Sequence, residues 1–166
     1  MAETKPDFAE QIRELPEGWV RAMGVEITRA TEDEVRAEWT VGPQHLQAYG
    51  IVHGGVHCGV IETLASIGAA LWGMQHERGV VGLENHTSFL RAVRAGARLT
   101  AVATPLQRGR RSQVWQAEIR DEQERLVATG SVRLLCLEQG AALGGKDLET
   151  REFQAGGNRR TPGLAG

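Results

Sequence analysis

From Gly54 to about Gln75 the chain sets Val60, Ile61, Leu64, Ile67 and Leu71 among small Ala and Gly residues, with no strand-like alternation. Such a run is expected to form a helix buried over most of its circumference. A stretch of about 20 apolar residues would also cross a bilayer. Here His57 and Glu62 interrupt it, several glycines dilute it, and the segments that follow need water on one face. The run therefore reads as the central helix of a globular domain, and no membrane partner is expected.

The flanking sequence supplies what must cover that helix. Val35, Ala37, Trp39 and Val41 alternate with Arg36, Glu38 and Thr40 as in a strand with one wet face, with Val25 and Ile27 in its partner. Four further strand-like runs follow the helix, at 80–93, 97–106, 112–121 and 125–138. Turn signals at Arg94-Ala95-Gly96, Arg108-Gly109 and Asp121-Glu122-Gln123-Glu124 predict that hairpins join them. The expected class is α+β, a long central helix wrapped by a curved antiparallel β-sheet.

With 166 residues, 41% of them hydrophobic, the chain can bury a core without disulfides or a structural metal. Nineteen Lys plus Arg against 21 Asp plus Glu leave a net charge of −2, without the basic excess that nucleic-acid binding demands. Cys58 and Cys136 are far apart, and the first ten residues lack an apolar signal core, so a cytoplasmic protein is expected. Phe8, Ile12 and Leu15, stopped by Pro16, predict an N-terminal amphipathic helix extension over residues 1–18. The principal domain then covers 19–138. Residues 139–166, rich in Gly and charge, are expected to be a disordered tail.

The chemistry gathers between Gln47 and Ser66. Glu62 places a carboxylate among Val60, Ile61, Leu64 and Ala65, so it is paired, protonated or functional. Ser66, one turn on, is its nearest local partner. Gly54-Gly55 opens the same helix, where free N–H groups and the positive end of the dipole can stabilise an oxyanion. A glycine pair also serves a tight loop-to-helix turn. Arg108, Arg110 and Arg111 form the densest basic cluster, suited either to phosphate oxygens or to a solvated hairpin tip. His53 and His57 lack the His-Glu-x-x-His pattern, and no metal is expected.

His53-Gly54-Gly55 with Glu62, then Asn85-His86-Thr87-Ser88-Phe89-Leu90-Arg91 and the turn Arg108-Gly109-Arg110-Arg111, resembles the hotdog-fold acyl-CoA thioesterases. Within them the sequence is most similar to the PaaI-like and 4-hydroxybenzoyl-CoA thioesterase groups, which carry Glu on the central helix. The resemblance, over roughly residues 24–138, implies hydrolysis of a small aromatic or medium-chain acyl-CoA to free acid and CoA, with no cofactor. It implies that Glu62 is nucleophile or general base, that Gly54 donates to the oxyanion, and that Gln47 polarises the thioester. Ser66 would position the hydrolytic water, and His53 would shape the loop before the helix. Gly55, Asn85 and His86 would line the substrate site, and Arg110 and Arg111 would contact the CoA nucleotide. A hotdog hydratase or dehydratase, or a non-catalytic acyl-CoA-binding module, stays open as an alternative.

Helix geometry adds an assembly expectation. Gly54 and Glu62 are eight residues apart, about 12 Å along one helix, yet both must reach one thioester carbonyl. Two antiparallel helices across a two-fold axis would bring Glu62 of one chain to Gly54 and Gln47 of another. A homodimer at minimum follows, and the resemblance implies that dimers pair into a homotetramer.

Overall fold

A computed structural model describes residues 5–15, 18–138 and 140–147. In chain order it has α1 (Ala9–Arg13), α2 (Trp19–Ala22), β1 (Glu26–Ala30), β2 (Val35–Thr40), a 3-10 turn (Pro43–His45) and α3 (Gly54–Gln75). Then come β3 (Arg78–Phe89), β4 (Arg98–Arg108), β5 (Ser112–Asp121), β6 (Leu126–Glu138), β7 (Ala142–Leu143) and β8 (Lys146–Asp147).

Six strands make one antiparallel sheet in the order β1-β2-β4-β5-β6-β3. The expected hairpins β4–β5 and β5–β6 are present. The expected β3–β4 hairpin is not, because β3 pairs with β6. The segment through Arg94-Ala95-Gly96 instead carries the chain across the sheet from its edge, touching Ile51 and Val52 on the way. Local turn residues announce a reversal but not which strand will be the neighbour.

Helix α3 lies on one face of this sheet. Val60, Ile61, Leu64 and Ala69 are fully buried against it, so the sheet-facing side of the helix is satisfied by the chain's own core. Gly68 is glycine for a packing reason: a Cβ there would stand 2.2 Å from the Trp115 ring of β5. Gln113 reaches from β5 to the Ala69 carbonyl and accepts the Trp115 indole N–H at 2.9 Å, which pairs the polar atoms of that central contact.

The N-terminal helix is fastened to the sheet. Phe8, Ala9 and Ile12 enter the core, and the Asp7 carboxylate accepts the Ala9 and Ala30 N–H groups at 3.0 and 2.9 Å. Residues 142–147 form a small hairpin, with Gly144 and Gly145 at positive φ in its turn; residues 148–166 of the expected disordered tail lie outside the described residues.

Candidate active site

The loop before α3 and its first turn are built from short-range hydrogen bonds. His53 is the N-cap: its Nδ1 accepts the Gly55 N–H at 2.9 Å, which leaves the neutral ring's proton on Nε2. A Cβ on Gly55 would come within 2.9 Å of that nitrogen. The Gly54 N–H finds no acceptor among the described residues, so it is the free donor at the positive helix end. The space beside the Gly54 Cα, expected to admit a substrate carbonyl, is occupied by the Phe89 ring, 2.8 Å from where a Cβ would sit. Gln47 begins a tight turn closed by Gly50, its backbone N–H donating to Ile51 O, at this same end of the helix.

Two turns further on, Glu62 is half-buried beneath β3. Asn85 Nδ2 donates to Oε2 at 3.2 Å, and Ser66 Oγ stands 3.4 Å from Oε1. The same Asn85 amide reaches the Cys58 carbonyl, while its Oδ1 accepts the Thr87 hydroxyl at 2.6 Å. That bond from Thr87 fixes which end of the amide faces the carboxylate. Gly82 completes the cradle, for a Cβ there would fall 2.2 Å from Oε1. The carboxylate thus rests on bare backbone, with hydrogen-bond donors at both oxygens and, among the described residues, no cation in contact.

A bulge makes this possible. Side chains of a regular strand alternate, so residues three apart face opposite sides. Register slips between Gly82 and Glu84, leaving Leu83 as the extra residue. Val80 and Gly82 face the helix before the slip; Asn85 and Phe89 face it afterwards. His86 consequently points away from Glu62, bonding Glu84 at 2.6 Å, and the structure does not bring it to the carboxylate within this chain. His86 first, and Arg133 second, hold the Glu84 carboxyl below the ordinary range.

The basic turn separates into two kinds of arginine. Arg108 is engaged, donating to Glu32 O and the Asp33 carboxylate and lying 5.8 Å from the Trp115 ring centroid. Arg110 and Arg111 are exposed at the tip, with Arg110 3.8 Å from Glu138. This tip lies beside the start of β3 and the end of β6, where Arg78 and Arg110 both approach Glu138. Among the described residues no three His, Cys, Asp or Glu side chains converge as a metal would need. His57, not among the expected site residues, is 3% exposed with an unpartnered Nδ1, and burial lowers its pKa to about 4. Its ring lies 6.2 Å from that of Phe89, and Val60, Ile61 and Leu64 at i+3, i+4 and i+7 are the sequence signal that puts it on the buried face.

An antiparallel sheet holding one long helix, with a carboxylate and a free N-terminal N–H on it, defines a hotdog-type hydrolase scaffold. Residues 49–128 match the thioesterase superfamily, and the chain belongs to that family as a thioester hydrolase. Rv1847 of Mycobacterium tuberculosis, provisionally named an esterase, is 44% identical over 118 residues, covering 70% of this chain and 84% of that protein. The crystal structure of thioesterase HI1161 from Haemophilus influenzae superposes with a TM-score of 0.70 at 33% identity, covering 82% of this chain and 93% of that one. The 1,4-dihydroxy-2-naphthoyl-CoA hydrolase of Escherichia coli is 34% identical over 121 residues, 72% of this chain and 88% of that protein.

Proposed function

We propose that the chain hydrolyses the thioester of an aromatic or medium-chain acyl-CoA, with Glu62 as the group that delivers the attacking oxygen. The observation that carries this is the Glu62 cradle, in which Asn85, Ser66 and Gly82 hold an uncompensated carboxylate in place without a competing cation. As general base, Glu62 takes a proton from water while the water oxygen attacks the carbonyl; the tetrahedral intermediate then collapses by breaking the C–S bond, leaving the free acid and CoA thiolate, which takes up the proton. As nucleophile, it forms an acyl anhydride, expelling CoA thiolate, and water then cleaves the anhydride. In both routes the Gly54 N–H, aided by the Gln47 amide, meets the developing oxyanion.

Since Gly54 and Glu62 lie about 12 Å apart on one helix, the complete site takes Glu62 from one chain and Gly54 with Gln47 from a second. The unpaired outer edge of β3 supports a dimer of this kind. The CoA portion of the proposed substrate is supported by the named activity of the Escherichia coli relative and by the exposed Arg110 and Arg111, whose guanidinium forks suit phosphates. Glu62→Gln should lower kcat at least a thousandfold while leaving acyl-CoA affinity within a few-fold, because the loss falls in the transition state. A variant keeping a tenth of wild-type kcat would remove Glu62 from the reaction. Rapid-quench mass spectrometry of wild type then separates the routes, since only the nucleophilic one transiently adds the acyl mass to the Glu62 peptide.

A further inference from the structure

A cavity of about 600 Å³ lies between the N-terminal helices and the side of α3 turned away from the sheet. Ile12 and Trp19 roof it, Ile67, Ala70 and Met74 of α3 form its floor, and Ile27 of β1 closes its side. Its volume falls in the range that takes a drug-sized molecule, roughly 300–1,000 Å³.

The cavity and the Glu62 cradle share one residue, Ser66. Each four-residue step along an α-helix turns the side chain by about 40°. The series Glu62, Ser66, Ala70, Met74 therefore walks from the carboxylate onto the cavity floor. Ser66 stands at the junction: it lines the cavity while its hydroxyl is 3.4 Å from Glu62 Oε1. Two polar groups in the lining are already committed within the chain. Thr63 Oγ1 donates to Gly59 O at 2.7 Å, and Arg13 Nη1 to Ile27 O at 2.8 Å. Arg21, Glu26 and Ser66 also border it, but most of the lining is apolar.

Trp19 bounds the cavity where it meets α3. A Cβ on Gly59 would stand 2.5 Å from its ring, so the glycine exists to let the indole rest on the helix. The indole is nevertheless 40% exposed.

We infer that this cavity receives the acyl group, that the group is an extended apolar one, and that Trp19 is a specificity-determining residue that limits its size. The inference rests on the acyl-CoA reading above. It makes the N-terminal helices a working wall of the substrate site.

The test is kcat/KM for butanoyl-, hexanoyl-, octanoyl- and decanoyl-CoA in wild type, Ala70→Leu and Trp19→Ala. Leucine at 70 fills the floor and should lower the decanoyl-to-butanoyl ratio at least tenfold. Removing the indole should raise that ratio threefold or more. Ala70 is exposed, so its variant decides the matter even where loss of Trp19 impairs folding. A ratio within twofold of wild type in the folded variants overturns the assignment of the cavity. Wild type inert toward this series but active on benzoyl-CoA overturns the extended acyl group, and wild type inert toward both overturns the acyl-CoA reading instead.

Discussion

Strands β3 and β5 are of similar length and lie in one sheet, yet they answer to different demands. In β5, Gln113, Trp115, Ala117, Ile119 and Asp121 are buried in strict alternation, the first four against this chain's own core and Asp121 under the turn that Gln123 and Arg125 tie to it. In β3 no residue is fully buried; Leu83 and Phe89 are 49% and 56% exposed, and among the described residues its outer edge is unpaired. One strand holds the fold together. The other carries the groups around Glu62 and presents apolar side chains that its own chain does not cover, which is where a partner would be useful.

That contrast is broken most severely through Trp115. Trp115→Ala should cost about 3–5 kcal/mol of stability by opening a cavity over Gly68, read as a lowered urea midpoint. Leu83→Arg should cost under about 1 kcal/mol, since the side chain is half in water, but should shift dimers to monomers in analytical ultracentrifugation and reduce turnover with them. Equal destabilisation by the two substitutions would erase the distinction between the strands.

His57 sharpens it, being a core group placed under the end of β3. Its folded pKa of about 4 lies below the ordinary 6.5, so the unfolded chain binds more protons between those values. The associated stability is complete above pH 6.5 and is lost as pH falls toward 4, by about 3 kcal/mol in all. His57→Leu removes an unpartnered nitrogen and should flatten this acid limb. Parallel pH profiles for variant and wild type would place the acid sensitivity elsewhere.

The smallest effect concerns the proposed two-chain site. Gln47→Ala and Glu62→Ala chains, unfolded together and refolded, make about half mixed dimers by random pairing, each with one intact site. Activity should return toward a quarter of wild type. Recovery no greater than the mean of the two parents, with mixed dimers verified by mass, would put Gln47 and Glu62 in one chain's site.

Much of this was legible in the residues because it is local. Helix α3 runs from Gly54 to Gln75 as its apolar run predicts, and β5 occupies Ser112–Asp121 because its alternation is unbroken. Glu62 stands out for a similar reason, as one charge in an apolar helix. Contacts fixed by distant partners were hidden. Arg108 looks like part of a phosphate-binding cluster until Asp33, 75 residues away, claims it. The four-residue α2 has no apolar period of its own and is held where Trp19 meets Gly59. The outward turn of His86 depends on a bulge that strand alternation does not announce.

That bulge at Leu83 also has an evolutionary reading. Deletion of a single codon there would restore even alternation along β3, and either Gly82 or Asn85 would then rotate away from the helix. The strand could still pair with β6, and Trp115 and its neighbours would be untouched. A one-residue indel is therefore enough to separate inheritance of this fold from inheritance of its carboxylate cradle. Length at this one point of β3, as much as residue identity at 62, is what a lineage must keep to keep the site.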